Sequence, residues 1–232
     1  MSGPSDAPTP GTAIAGSYLL AEALPAPPDR ALWRARRYGA TVGGGRTSAA
    51  GDVLVRLVRC PSNGAALQVV DRAALASGER HPFVAPLLDC GLASDGCAYL
   101  VYDLRDGRTL RAALAEGRLS PALTLHIADQ LLAALESAHF RDTLHCGLGP
   151  DSVYLTPATP HPTAHLLDLG VADGATRSIY DDICALATLV GAMSDRPLPD
   201  PFGAMIHRAL GPRATGWSSA AQLRAALRAA FG

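Results

Sequence analysis

The basic residues of this chain are the first guide to its chemistry, because none of them is a lysine. All 20 lysine-plus-arginine positions hold arginine, in a chain of 232 residues with a formal net charge of −1. A Schiff base and the phosphate-binding lysine of a Walker motif both need a primary amine. These mechanisms are therefore excluded.

The thiols and imidazoles offer no metal or disulfide framework. The five cysteines are odd in number and form no CxxC pair: Cys60, Cys90, Cys97, Cys146 and Cys184. This pattern favours reduced thiols and a cytoplasmic location. His161 and His165 have ligand-like spacing, but Pro162 lies between them, which argues against one helical face.

Charge and hydropathy exclude two classes of partner. The near-neutral balance gives no electrostatic footprint for nucleic acid. No apolar stretch approaches the length of a membrane span, so we expect no membrane insertion. Residues 1–15 are rich in Pro, Ser, Gly and Thr, which predicts a flexible tail.

The elements of the first half predict a small antiparallel sheet with one helix. Strand candidates are YLLAEAL, RALWRARRY and DVLVRLV, the last after a loop containing Gly43, Gly44 and Gly45. Residues 65–79 have helical spacing, and two further strands flank an SDG turn.

The second half changes to helices. Ser120 and Pro121 mark a helix start, and two short strands, SVYLT and AHLLDLG, form a predicted hairpin. DDICALATLVGAM is apolar nearly all round, as a buried helix would be. Ser219 opens a final amphipathic helix as its cap.

This order of elements resembles the bilobal fold of bacterial Ser/Thr protein kinases. The segments that carry the resemblance are HPFVAPLLDCG, YLVYDLRDGRTL, HCGLGPDSVYL, LLDLGVAD, YDDICALA and IHRALGPRATGWSSAAQLRAAL, in the order of the family. It implies an α+β fold with a tail over 1–15, a sheet-rich N-lobe over 16–104 and a mainly helical, shortened C-lobe over 105–232.

The resemblance also shows where the chain departs from the family pattern. The Gly-rich loop becomes Pro25, Pro27 and Arg30, and the strand lysine becomes Arg56. The glutamate partner of that lysine has no clear counterpart, because the alignment falls near Asp71 or Arg72. In the catalytic loop the base aspartate is replaced by Gly147, the lysine by Gly149 and the metal-binding asparagine by Ser152.

Other positions of the pattern are kept. Asp168 retains the identity of the metal-binding aspartate, and a structural role is implied for His145, Pro150 and Asp182. The interval from Asp168 to Asp182 is short for an activation segment, which implies that the substrate platform has been cut out. Structure is kept where chemistry is lost.

These departures predict a catalytically inactive pseudokinase, not an enzyme, that serves as a protein-binding scaffold or regulatory module without a cofactor. The alternative is an atypical nucleotide-binding phosphotransferase or ATP sensor that uses Arg56 and Asp168. Asp168 would then be the one candidate metal ligand. A third interpretation is a structural subunit whose cleft is filled by its own side chains.

A narrower resemblance suggests a partner. The segment running into Asp-Asp-Ile, followed by RPLP, is similar to the pseudokinase domain of actinobacterial MviN-type proteins. In that group phosphorylation by a Ser/Thr kinase recruits a forkhead-associated domain. The resemblance thus implies a Ser/Thr kinase or a forkhead-associated-domain protein as partner, with Thr9 and Thr12 as candidate phosphosites.

Overall fold

The computed structural model describes residues 8–38, 51–78, 80–103, 106–171 and 178–231. The chain divides into two compact units. One comprises Met1–Ser77 and Pro86–Arg105, and the other comprises Gly78–Ala85 and Asp106–Gly232.

The first unit is built on an antiparallel sheet with the order β1-β2-β3-β4-β6-β5. Its strands are β1 (Ala13–Ile14), β2 (Tyr18–Leu24), β3 (Arg30–Arg37), β4 (Asp52–Val58), β5 (Leu87–Leu92) and β6 (Ala98–Tyr102), and its helix is α1 (Asn63–Ala76). Ser62 begins α1 by accepting a hydrogen bond from the N–H of Ala65 at 3.2 Å.

Strand β4 is central, and its residues from Val53 to Val58 are all buried. Side chains on one sheet face form an apolar cluster that includes Trp33, Val55 and Val101. Helix α1 buries Ala66, Val69 and Ala73. A strand with both faces covered is expected to be apolar along its length, and the buried part of β4 is apolar except at Arg56.

The second unit is mainly helical. It contains β7 (Arg108–Thr109), α2 (Leu110–Glu116), α3 (Pro121–Phe140), β8 (Val153–Thr156), β9 (Thr163–Leu166), α4 (Ile179–Met193), α5 (Phe202–Leu210) and α6 (Ala220–Phe231). The three strands form one small sheet in the order β7-β8-β9. Ser120 caps α3 as predicted, accepting from the N–H of Leu123 at 3.3 Å.

Two elements differ from the sequence-based expectation. The tail predicted over residues 1–15 is structured from Thr9, because Gly11 donates to the carbonyl of Leu20 at 2.8 Å and Ile14 enters the apolar cluster. The sequence did not predict helix α2, because α2 directly follows the polar stretch RDGRT, which was interpreted as part of a hinge. The predicted loop at Gly43–Gly45 lies outside the described residues.

Among the described residues, no helix is both long enough and apolar enough to cross a membrane.

Candidate functional site

The loop after α3 is organised by His145, which is 2% exposed. Its Nε2 lies 2.9 Å from the carbonyl oxygen of Leu167, so this nitrogen must donate. Its Nδ1 then accepts from the N–H of Gly147 at 3.3 Å. These two bonds select the neutral Nε2–H tautomer and join the loop to the segment that precedes Asp168.

Asp182, in the first turn of α4, holds the same loop from the other side. Its Oδ2 accepts from the N–H of His145 at 2.8 Å and from Nε2 of His139 at 2.9 Å. Its Oδ1 accepts from the N–H of Cys146 at 2.7 Å. Burial pushes the pKa of this carboxyl upward, but the hydrogen bonds from His139 and the loop backbone outweigh it, and the pKa lies below its usual value.

The three substituted loop positions differ in their surroundings. Gly147 is exposed, and a Cβ built on Gly149 would meet nothing within 4 Å. Ser152 is buried, and its Oγ both donates to the carbonyl of Gly149 and accepts from the N–H of that residue, each at 2.9 Å. The Ser152 hydroxyl therefore closes a local turn.

Asp168 is 4% exposed and has a left-handed backbone, with φ +59°. Backbone hydrogen bonds fix the residues on both sides of it. The N–H of Leu167 donates to the carbonyl of Ser152 at 2.8 Å, and the N–H of Gly170 donates to the carbonyl of Leu144 at 3.1 Å. Cys146 has φ +66°. Left-handed non-glycine residues are uncommon and cluster at functional sites, where the surrounding structure imposes them.

Asp168 is the side chain of this site that could contribute to a magnesium site. Among the described residues, no group of three His, Cys, Asp or Glu side chains could hold a metal by itself. Magnesium in phosphoryl-transfer sites relies on one or two carboxylates together with substrate phosphates and water. Asp168 could supply such a carboxylate, whereas the Ser152 hydroxyl is engaged in its turn.

A further contact in this loop was missed by sequence reasoning. The guanidinium of Arg111, on α2, binds the carboxylate of Asp151 through Nε and NH2. The backbone N–H of Arg111 donates to the carbonyl of Pro150 at 3.0 Å. The two residues are 40 positions apart, so no local pattern pairs them. This bidentate contact anchors the end of the loop, including Pro150, to α2.

In the first unit, Arg56 lies on β4 and is fully buried. Its NH1 donates to the carbonyl of Arg30, across the β3–β4 pair, at 2.9 Å. Pro25 and Pro27 lie in the short connection between β2 and β3, and the N–H of Arg30 donates to the carbonyl of Pro27 at 3.0 Å. On α1, Asp71 is exposed and Arg72 is half-buried.

Comparison with solved structures identifies the class of fold. The PknI kinase domain of Mycobacterium tuberculosis matches with a TM-score of 0.73 and 20% identity, covering 97% of this chain and 100% of the other. Rad53 in complex with AMP-PNP matches with a TM-score of 0.69 and 15% identity, covering 90% of this chain and 64% of that one. The fold is kinase-like, as predicted.

The curated relatives are serine/threonine protein kinases. Human serine/threonine-protein kinase D2 is 31% identical over 150 residues, which is 62% of this chain and 17% of the relative. Bacterial relatives include pkn2 of Myxococcus xanthus, 29% identical over 54% of this chain and 14% of the relative. PknD of M. tuberculosis is 32% identical over 41% of this chain and 14% of the relative. The chain thus spans less than a fifth of each of these relatives. No protein-family model matches it.

The prediction that this chain is not an enzyme was wrong. Its relatives are named serine/threonine protein kinases and its structural neighbours are kinase domains, which points to a kinase. The prediction gave decisive weight to the side chains missing at Gly147, Gly149 and Ser152. Catalysis of phosphoryl transfer is mostly positioning and electrostatic stabilisation, so missing side chains alone do not exclude it.

Proposed function

We propose that this chain is an atypical kinase-like phosphotransferase that binds ATP with a divalent metal ion. The observation that carries the proposal is the state of Asp168, which is nearly buried and held in a left-handed conformation by backbone bonds on both sides. A surrounding structure that imposes this conformation on a carboxylate is expected where the carboxylate has a task. Its task would be to hold the metal ion that neutralises the nucleotide phosphates.

Arg56, which lies in the first unit, has a side chain that is suited to phosphate. A guanidinium stays charged when buried and presents its donors in a planar fork that matches phosphate oxygens. The hydrogen bond to the carbonyl of Arg30 fixes the orientation of this fork. The retained cation supports the proposal, as does the AMP-PNP in the Rad53 complex of the same fold.

The reaction would transfer the γ-phosphoryl group of ATP to a hydroxyl group of a protein. The bond between the γ-phosphorus and the bridging oxygen breaks, ADP leaves with its electron pair, and the hydroxyl oxygen forms the new bond. The hydroxyl proton goes to water or phosphate, because the residue at the position of the base is Gly147. General base catalysis contributes about 10²–10⁴-fold, so we expect slow turnover.

Transfer of label from γ-labelled ATP tests the proposal. The full chain, with Mg²⁺ or Mn²⁺, should label itself or a generic Ser/Thr substrate protein slowly, and Asp168→Asn should abolish the transfer. Nucleotide binding without any transfer would instead favour an ATP sensor. Absence of both binding and transfer would refute the proposal.

A regulatory role for the N-terminal segment has its own support. Thr9 is exposed and opens a turn over Thr9–Thr12, in which the N–H of Thr12 donates to the carbonyl of Thr9 at 3.0 Å. Gly11 has φ +91° and follows Pro10, as a type II turn requires. Thr12 is half-buried, and its Oγ1 accepts from the N–H of Thr9 at 3.2 Å. We therefore favour Thr9 as the site that a Ser/Thr kinase modifies and a forkhead-associated domain then binds.

A cytoplasmic location is part of the same proposal. Its support is that none of the five cysteines, which all lie in the described part of the chain, forms a disulfide. Reduced thiols persist in the cytoplasm, where the glutathione pool keeps them so.

A further inference from the structure

A cavity of about 260 Å³ lies in the first unit, beside the connection between β2 and β3. Its walls are mostly apolar and include Pro8, Pro27 and Leu57. Pro8 belongs to the segment that the sequence predicted to be a tail, so that segment provides one wall. The volume lies just below the range for drug-sized ligands, so a smaller molecule fits.

Trp33 also lines this cavity and is 5% exposed. Its indole Nε1 is buried and has no hydrogen-bond partner among the described residues. A buried donor without a partner is costly, and most native donors of this kind are satisfied. A ligand that brings a hydrogen-bond acceptor into the cavity could satisfy it.

The polar part of the lining carries one charge of each sign. Arg59 and Asp95 are both exposed, and neither forms an ion pair with another described residue. Cys97 lines the same cavity with a buried thiol, and its backbone N–H donates to Oδ1 of Asp95 at 3.0 Å. Burial, together with Asp95, raises the pKa of that thiol to about 11, and Arg59 opposes the rise. The thiol is therefore neutral at physiological pH.

We propose that this cavity binds a free α-amino acid with an apolar side chain. The carboxylate of the ligand would pair with Arg59 and accept from the indole N–H of Trp33, and its ammonium group would pair with Asp95. Its side chain would fill the space beside Pro27 and Leu57. Neither Arg56 nor Asp168 contributes, so this site is separate from the proposed transfer of phosphate and can fail independently of it.

Other ligand classes fit the lining less well. A divalent cation would find one carboxylate beside a guanidinium and a protonated thiol, which is a poor set of ligands. A nucleoside triphosphate would meet only one cation in this lining, Arg59, together with the carboxylate of Asp95, which would repel its phosphates. A residue within a peptide has neither free end, so it could not use both charges.

The test is a titration of the full chain with L-leucine, followed by ¹H–¹⁵N NMR of the two indole N–H groups. The chain has two tryptophans, and a Trp33→Phe variant assigns the signals. We expect the Trp33 signal to shift and saturate while the Trp217 signal stays, because the Trp217 N–H is already bonded to the carbonyl of Met205 at 3.0 Å. An unmoved Trp33 signal would overturn the proposal.

Two analogues of leucine test the charges separately. L-leucinamide lacks the carboxylate and N-acetyl-L-leucine lacks the ammonium group, so each should bind several-fold more weakly than leucine. Arg59→Gln should remove the preference for leucine over leucinamide, and Asp95→Asn should remove the preference over the acetylated analogue. Arg36→Gln, an exposed arginine on β3, serves as the matched control and should change neither. Equal binding of all three compounds to the unaltered chain would contradict the proposal.

Discussion

The backbone N–H of Cys146 donates to Oδ1 of Asp182 at 2.7 Å, across 36 positions of sequence. Cys146 is itself left-handed, with φ +66°. The carboxylate at the start of α4 therefore holds the loop in a conformation that a cysteine rarely adopts alone. This contact connects the core of the second unit to the loop that would perform phosphoryl transfer.

Replacing Asp182 with alanine should destabilise the chain strongly. The change removes the acceptor for three donors, and loss of one member of a buried charged network costs about 3–5 kcal/mol. Urea unfolding measures the effect. Asp52→Asn is the control, because Asp52 is 70% exposed and its ion pair spans 4.0 Å; it should change stability by less than about 0.5 kcal/mol. Equal effects of the two substitutions would contradict the anchoring role of Asp182.

Protonation of His165 should weaken the fold in mild acid. Burial lowers the pKa of this imidazole below its usual 6.5, against a backbone contact with Pro82 that raises it. As the pH falls, the imidazole is therefore protonated in the unfolded chain before it is protonated in the folded chain. The stability that the buried neutral His165 contributes is present above pH 6.5 and is lost as the pH falls below 6.5. Urea unfolding as a function of pH measures the loss. His165→Gln should make the dependence shallower as the pH falls below 6.5; an unchanged profile would refute the assignment.

Arg111 should position the catalytic loop through Asp151. Arg111→Lys keeps the charge but cannot form the bidentate contact with the carboxylate. We expect label transfer to fall about tenfold or more, while the melting temperature changes by only a few degrees. Arg108→Lys is the matched control, because that arginine pairs with Glu116 on the exposed surface of the same region. Equal transfer by both variants would show that the Arg111 contact is structural only.

Restoring a base at Gly147 should accelerate transfer. Gly147 is exposed, and its N–H already bonds to His145 Nδ1, so an aspartate there would extend from a fixed backbone. Gly147→Asp should raise the rate of label transfer by at least tenfold, within the range of about 10²–10⁴ that a general base can contribute. The control is Gly191→Asp, at a helical glycine where a Cβ has open space. An unchanged rate would mean that the loop does not adjoin the acceptor hydroxyl.

Much of the fold could be predicted because its signals are local. The apolar run of β4 and the Ser120–Pro121 start of α3 are readable within a few residues, and the structure has both. Strand β1 could not be predicted, because two residues in a Pro- and Gly-rich segment carry no period. It forms because Ile14 joins an apolar cluster made by distant strands.

The site was less accessible to sequence reasoning. Residue identities located Asp168 and Asp182, but the left-handed backbone of Asp168 is imposed by bonds from other segments. The Arg111–Asp151 contact likewise depends on tertiary structure. Residue identity indicated that His145 and Asp182 are kept, but it could not show the hydrogen bonds through which they hold the loop.

The most direct test of the account is the melting temperature with and without ATP and Mg²⁺, measured for the unaltered chain and for Asp168→Asn. Asparagine tolerates the left-handed conformation, so this variant should fold. At a hundred times the dissociation constant, binding adds about 2.7 kcal/mol, which for a chain of this size is roughly 5–10 °C. We predict that shift for the unaltered chain and its loss in Asp168→Asn. No shift in either protein, or the same shift in both, would contradict nucleotide binding through Asp168.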